Sequence, residues 1–436
     1  MSTGFRVSDG RICMSEPQAD AVHDLSVLID VARRMSETFE LQPLLESIEQ
    51  AGLSALGCER ATVFLYDHDH DELYSKVATG TDEIRFPARL GIAGEAARTR
   101  NVIHVPDAYA DSRFNPEIDR QTGFRTRNLL TLPLIAPDGE VMGVLQVLNK
   151  ADGGAFTAHD ELLALALSAL TGIAIKRQIL LDAAREKERL ERELDIARQI
   201  QQQLLPKENP RLPGFEVAGW NRPADQTGGD FFDFFPVGDD RLALMVADAT
   251  GHGIGPALIM AQCRALLRAV GGQCDHLPET ARRVNNLLHD DLPADRFVTV
   301  FYGLLDAEQR TLCYISAGHG PLLLFRAATG EVSFSGATGL PMGIVPDADI
   351  PMADPVLFEP GDMFVLLTDG FIEWVRPDGQ QYGEQRLAEL VRRCRELPAE
   401  RLIVELHEDV LRFAEGTPQA DDLTAVVVKR TKVSDQ

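Results

Sequence analysis

The chain has 436 residues, 44% of them hydrophobic and 25% charged, with a formal net charge of −24. That length exceeds a single core and points to two or three ordinary globular domains. A surface so acidic repels nucleic acid and anionic lipid, which argues against both as main partners; solubility or the holding of cations accounts for the charge equally well.

Arg6, Asp9, Arg11 and Glu16 break up any apolar run of the kind a signal peptide needs. Residues 1–22 are polar and aperiodic and are expected to be disordered. The six cysteines (Cys13, Cys58, Cys263, Cys274, Cys313, Cys394) are scattered with no CxxC pair. A reducing cytoplasm fits them, whereas a disulfide framework or zinc site does not.

A first α/β unit is expected over residues 23–177. Residues 61–66 read as a strand, His68-Asp69-His70-Asp71 as a turn, and 72–77 as its partner strand. The apolar runs 129–135 and 141–148 flank Ala136-Pro137-Asp138-Gly139, a hairpin signal. His68 and His70 look like a metal pair but sit in a polar turn, where solvated side chains are the better reading. Residues 162–175 form an uncharged stretch too short to cross a bilayer, so a buried helix is expected.

Residues 178–205 lack Gly and Pro and carry the charged run Arg185-Glu186-Lys187-Glu188-Arg189. Positions 180, 183, 187, 190, 194, 197, 201 and 204 form an imperfect heptad seam, interrupted by Lys187 and Gln201. One amphipathic helix lying on a single domain would explain it. A parallel coiled coil joining two protomers is favoured, because the segment stands between two domains and ends at Pro206.

Residues 206–436 make a second unit rich in short strands, at 215–217, 241–246, 298–305, 311–316, 322–325, 363–367 and 423–429. Helical patterns occupy 255–270 and 280–290. Runs of strands with inserted helices argue for an α+β sandwich. The chemical signal lies here. One strand stops at Asp248, another at Thr368-Asp369-Gly370, Asp421-Asp422 precede a third, and Gly228-Gly229-Asp230-Phe231-Phe232-Asp233 opens a fourth.

Carboxylates gathered at one rim repel each other unless cations sit among them. Such hard oxygen ligands suit Mg²⁺ or Mn²⁺. A water shared by two such ions loses its proton near neutral pH and can attack phosphorus in line. The neighbouring glycines permit tight turns and close backbone approach. Each Asp-Gly alone is an ordinary turn, and His252 and His319 alone are ordinary loop residues; the joint, ordered occurrence carries the specificity. No cysteine has Arg six residues later, and neither Gly-x₄-Gly-Lys-Ser/Thr nor Gly-x-Ser-x-Gly occurs.

These blocks, with Ser316-Ala317-Gly318-His319, Leu340-Pro341-Met342-Gly343, Leu423-Thr424 and a lead-in at 197–206, resemble the bacterial PPM/PP2C-like serine/threonine phosphatases of the SpoIIE and RsbU type. The resemblance covers about 195–430 and implies an α-β-β-α sandwich with a binuclear Mn²⁺/Mg²⁺ site. Asp248 would bridge both ions, Asp230, Asp369 and Asp421 would complete the shells, and the Ala249 carbonyl would be a backbone ligand. Asp233 and Asp422 are candidates for outer positions or a third metal. The resemblance also implies a phosphoserine or phosphothreonine protein as substrate, typically an anti-sigma-factor antagonist with a STAS fold. The helices at 255–290 would be the on/off switch.

Ile92-Ala93-Gly94, 102–107, 129–134, 143–148 and the series Asn149-Lys150, Phe156, Asp160-Glu161 resemble a GAF domain, a small-molecule sensor module. The last series is the pattern of cyclic-nucleotide-binding members, so a cyclic nucleotide is a candidate ligand beside other small molecules or a purely dimerising role. Lys150 and Asp160 could pair outside any pocket and pin a strand end to the following helix. The expectation is a cytoplasmic, homodimeric phosphatase whose sensor biases a helical linker. The alternative is a cyclic-nucleotide sensor whose phosphatase domain is an inactive scaffold.

Overall fold

The computed structural model describes residues 7–8, 11–12, 16–75, 84–272 and 276–432. Residues 1–6, 9–10 and 13–15 of the expected disordered N-terminus lie outside them, and a helix begins at Glu16. The chain divides into two compact units, Met1–Glu188 and Arg189–Gln436.

The first unit runs α1 (Glu16–Glu37), α2 (Leu41–Leu56), β1 (Cys58–Asp67), β2 (Glu72–Ser75), β3 (Ile84–Pro87), α3 (Gly91–Thr99), β4 (Ile103–Val105), α4 (Glu117–Thr122), β5 (Leu129–Ile135) and β6 (Val141–Lys150). Helix α5 (Ala158–Leu204) follows and continues past the division of the units. The strands form one antiparallel sheet in the order β3-β2-β1-β6-β5-β4. Both its faces are covered, which is why β5 and β6 read as apolar runs rather than as alternation. Val63, Leu132, Leu145 and Val147 pack with Leu44 and Ile48 of α2 and Leu163 and Leu167 of α5. Phe64, Leu73 and Val144 face α3 through Ala93 and Ala96.

The expected hairpin is present, closed by Ala136 N–H to the Glu140 carbonyl at 2.8 Å and Gly139 N–H to the Ala136 carbonyl at 2.9 Å. The Lys150–Asp160 pair also forms, at 2.6 Å, and Lys150 donates to the Leu56 carbonyl as well. His68 turns to the Val141 carbonyl and His70 to Asp67, so each has its own turn partner. Residues 162–175 differ from expectation: Leu163, Leu167 and Ile175 are buried, but Leu162, Leu165 and Ile173 are exposed. Among the described residues, α5 as a whole (Ala158–Leu204) is the one helix long and apolar enough to cross a membrane by length and composition, and 44% of its most apolar stretch is buried. The seam is uneven too. Leu180 and Leu190 are exposed, whereas Leu194, Ala197, Gln201 and Leu204 are half-buried.

The second unit runs β7 (Arg211–Leu212), β8 (Phe215–Arg222), β9 (Asp230–Pro236), β10 (Arg241–Ala249), α6 (Ile254–Gly271), α7 (Leu277–Asp291), β11 (Val298–Asp306), β12 (Thr311–Ala317), β13 (Leu322–Arg326), β14 (Glu331–Ser335), β15 (Val356–Leu357), β16 (Met363–Leu367), α8 (Asp369–Glu373), α9 (Gly383–Arg393), α10 (Ala399–Ala414) and β17 (Leu423–Arg430). Two antiparallel sheets form, β9-β10-β11-β12-β15 and β14-β13-β16-β17-β8-β7. Phe232, Val246, Phe301, Phe364 and Val426 fill the space between them. On the outer face of the first, Met245 and Ala247 meet Cys263 and Leu267 of α6 and Val284 and Leu288 of α7. On the outer face of the second, Val365 and Val427 meet Leu387 of α9 and Leu402 and Leu406 of α10. Three apolar layers thus hold an α-β-β-α sandwich.

In the first unit, β2 pairs with β1 only at Leu65–Asp67. Glu49 of α2, itself buried, accepts the Val63 N–H at 3.3 Å just before that pairing starts. Burial pushes the Glu49 carboxyl up from its usual 4.5 to about 7. The folded state therefore holds this proton more tightly than the unfolded chain. Its contribution is complete below pH 4.5 and disappears as pH rises through 7. Glu49→Gln keeps the acceptor and removes the charge. Unfolding of the first unit followed by denaturant titration should show the variant more stable at pH 8, by at most roughly 3 kcal/mol, and equal to wild type near pH 4.

Candidate metal centre

The site starts from a register. Asp230 at the start of β9 lies directly opposite Asp248 near the end of β10. Side chains alternate along a strand, so both carboxylates share the inter-sheet face with Phe232 and Val246, at its rim. The facing sheet brings Thr368 and Asp369 just past β16 and Asp421 and Asp422 just before β17, adjacent strands paired at Leu367–Ala425. Asp230 Oδ2 accepts from Thr368 Oγ1 at 2.7 Å and from Thr424 Oγ1 at 2.8 Å, a bridge between the two sheets. Asn221 of β8 donates in turn to Thr424 Oγ1 at 2.8 Å.

Asp422 does different work. Its carboxylate accepts the backbone N–H groups of Ala224 at 2.7 Å, Gly229 at 2.5 Å and Asp230 at 3.3 Å. It fixes the loop that delivers Asp230. The glycine pair is required by space: a Cβ on Gly228 would stand 2.5 Å from Asp422 Oδ2, and one on Gly229 would stand 2.7 Å from the Ala249 carbonyl oxygen. Gly229 thus lets β9 close against the carbonyl proposed as a ligand, and Ala249 N–H donates back to Gly229 at 3.1 Å. Asp369 is half-buried and Asp421 exposed.

Burial, then the charges of Asp248 and Asp422, raise the Asp230 carboxyl well above the usual carboxylate range. Burial, then Asp369 and Asp421, push Asp248 up to about 7. Asp369 is raised by burial and by Asp421, and Asp422 chiefly by burial. The strongest charge effects at the rim are therefore carboxylate against carboxylate. Among the described residues no three such side chains are yet drawn to coordination distance. The donor set nonetheless fits hard divalent cations: oxygen-only, multiply acidic and destabilised by its own repulsion.

Asp233 does not join this group, and its candidate metal role is corrected. Three residues beyond Asp230, it faces the opposite side of β9, fully buried toward α6. There it meets Arg264 Nε at 2.8 Å and Arg268 Nε at 2.5 Å. It anchors a helix to a strand. His252 is exposed with Nδ1 3.0 Å from Asp225. His319 is buried with Nδ1 facing Thr299 Oγ1 at 3.3 Å, and burial lowers its imidazole to about 4, so it is neutral. Sequence reasoning missed Thr368 and Thr424 as carboxylate holders, although both sat inside the acidic motifs. Arg264 and Arg268 carried no signal at all.

The sequence model described as Stage II sporulation protein E (SpoIIE) matches residues 238–431, and that of the GAF domain matches residues 40–175. Protein IcfG of Synechocystis sp. is 30% identical over 265 residues, covering 55% of this chain and 41% of that protein. Phosphoserine phosphatase RsbU of Bacillus subtilis is 27% identical over 252 residues, covering 56% of this chain and 72% of that protein. The chain thus spans less than half the length of IcfG. The solved SiaA-PP2C domain of Pseudomonas aeruginosa superposes with a TM-score of 0.50 at 24% identity, covering 56% of this chain and 99% of that one. It establishes the fold of the second unit.

Two outcomes follow from the geometry. In chelator-treated protein, Asp248→Asn should raise the thermal midpoint of the second unit, because one repelling charge is gone. It should also cancel the further rise that added Mn²⁺ brings to wild type. Asp233→Ala removes the buried partner of two arginines that still reach solvent and should cost about 1–3 kcal/mol by urea denaturation.

Proposed function

We propose that this chain, whose second unit belongs to the SpoIIE family of PP2C-type phosphatases and whose first unit is a GAF domain, is a metal-dependent protein serine/threonine phosphatase. The observation that carries this reading is the rim where Asp230 and Asp248, opposite each other on one strand pair, are joined by Asp369, Asp421 and Asp422 from the facing sheet, close enough for the carboxylates to act on one another. Asp230, Asp248, Asp369, Asp421 and the Ala249 carbonyl would hold two Mn²⁺ or Mg²⁺ ions, with Asp248 central among them. Bound there, the ions supply a water acidic enough to ionise near neutral pH and positive charge beside the phosphoryl oxygens. The chain's own part is orientation. Thr368 and Thr424 hold one oxygen of Asp230, and Asp422 holds the backbone that carries it. Asp422 therefore acts through the loop.

The substrate we infer is a phosphoserine or phosphothreonine protein, of the anti-sigma-factor-antagonist class with a STAS fold that the RsbU-type likeness implies. In the first unit a cavity of about 310 Å³, lined among others by Phe64, Phe86, Arg113, Asp119, Thr126 and Gln146, is the proposed sensor site. A cyclic nucleotide is its candidate ligand. Lys150 and Asp160 do not line that cavity and serve the structural pin described above. Leu25, Ile29, Leu162, Leu165, Leu180 and Leu190 are exposed on α1 and α5, an apolar helical surface that suits a second copy of the chain. A homodimer joined along α5 is therefore proposed. The unpaired thiols of Cys58, Cys263, Cys313 and Cys394 support a cytoplasmic setting.

Hydrolysis of an aryl phosphate by the purified chain tests the core of this reading. Activity should require Mn²⁺ and disappear with chelator. It should fall on the order of a thousandfold in both Asp248→Asn and Asp369→Asn, the several kcal/mol that such ions supply. Equal activity in wild type and both variants would point to a contaminant and leave the reading without support.

A further inference from the structure

We propose that Gln201 is a positioning residue that ties helix α5 to the metal-holding strand β9. The proposal rests on the phosphatase reading and adds a control point to it. The side-chain amide of Gln201 makes two reciprocal hydrogen bonds with a single residue. Its Nε2 donates to the Gly228 carbonyl at 2.6 Å, and its Oε1 accepts the Gly228 N–H at 3.1 Å. One side chain thus satisfies both backbone groups of Gly228, as a paired strand would.

Gly228 lies two residues before Asp230. From the other side, Asp422 holds the Ala224, Gly229 and Asp230 amides and leaves no room for a Cβ on Gly228. The strap 224–230 is therefore gripped between β17 and α5. Because both partners of the Gln201 amide sit on one residue, a helix rotation of one position, or an axial shift of about 1.5 Å, breaks both bonds together. This accounts for the polar interruption of the seam at 201. An apolar side chain there would serve packing but could not hold the strap. Release of the strap loosens Asp230 and weakens divalent-metal binding, so the position of α5 sets the metal affinity of the second unit.

The test uses the full chain with Gln201→Met, which keeps length and loses the amide, and Gln201→Glu, which keeps the acceptor and loses the donor. Circular dichroism and a thermal scan establish that both fold. Three quantities are read: Mn²⁺ affinity by electron paramagnetic resonance, hydrogen exchange of peptides covering 224–231, and the Mn²⁺ dependence of aryl phosphate hydrolysis. In Gln201→Met, Mn²⁺ affinity should weaken about tenfold and exchange in the strap should quicken. The Mn²⁺ concentration for half-maximal hydrolysis should rise in parallel, with a smaller change in rate at saturation. Gln201→Glu should fall between the two. Wild-type affinity and wild-type exchange in Gln201→Met would overturn the proposal. A wild type that binds Mn²⁺ and shows the Gln201 dependence but hydrolyses nothing would retain the clamp and remove the phosphatase reading. Should wild type bind no Mn²⁺, that reading falls and the strap exchange alone decides the clamp.

Discussion

Everything at the rim of the second unit depends on holding several carboxylates where they repel one another. Asp230 and Asp248 face each other across one strand pair, while Asp369, Asp421 and Asp422 arrive from the opposite sheet. Left alone, such groups would separate or stay protonated. The fold prevents separation because each acid sits at the end of a strand whose other residues are locked in apolar layers. Phe232, Val246, Phe364 and Val426 set the spacing of the sheets, and that spacing sets how close the acids must come. The hydroxyls of Thr368 and Thr424 and the amides held by Asp422 then fix orientation. Such a site is locally unfavourable and is stabilised by the burial around it, a common relation between function and stability.

The two aspartates of β9 show how one strand serves two purposes. Asp230 and Asp233 are three residues apart, an odd spacing that sends them to opposite faces. One joins the acidic rim. The other enters the layer beneath α6, where two arginines neutralise it. The helix expected to act as a switch is thereby bolted to the strand that carries Asp230. An ion pair buried in this way is strict about geometry, so movement of α6 and movement of β9 are not independent.

Much of this was legible before any coordinates. Acids at strand ends, the glycine pair, helices α6 and α7 and the Lys150–Asp160 pin all follow from local pattern or short separation in the chain. What escaped notice was non-local. Thr424 and Thr368 were visible inside motifs, but their roles depend on a bridge between sheets that spans 138 residues for Thr368 and 194 for Thr424. The partners of Asp233 lie 31 and 35 residues onward, on an otherwise uncharged helix whose two arginines, one turn apart, do not by themselves say which acid they meet. The parity of the strand alone would have removed Asp233 from the metal set. Helices α9 and α10 were also passed over, although Leu387, Leu390 and Val391, then Leu402, Ile403 and Leu406, keep helical spacing and are buried.

The interrupted seam of α5 was assigned to one partner along its length, yet its halves differ. Leu180 and Leu190 remain open to a partner, while Leu194, Ala197, Gln201 and Leu204 are already partly covered by their own chain. Heptad spacing reports only that a face is buried, not what buries it. The polar residue at 201 marks the change, because a backbone, rather than a second helix, is its partner. A site built on repulsion needs little energy to tip. Two hydrogen bonds, each contributing about 1 kcal/mol net, are comparable to a tenfold change in occupancy. A helix that makes or breaks them as it shifts can therefore set metal affinity without moving any ligand far, through a strap that its partners grip at Gly228 and Gly229 by backbone groups alone.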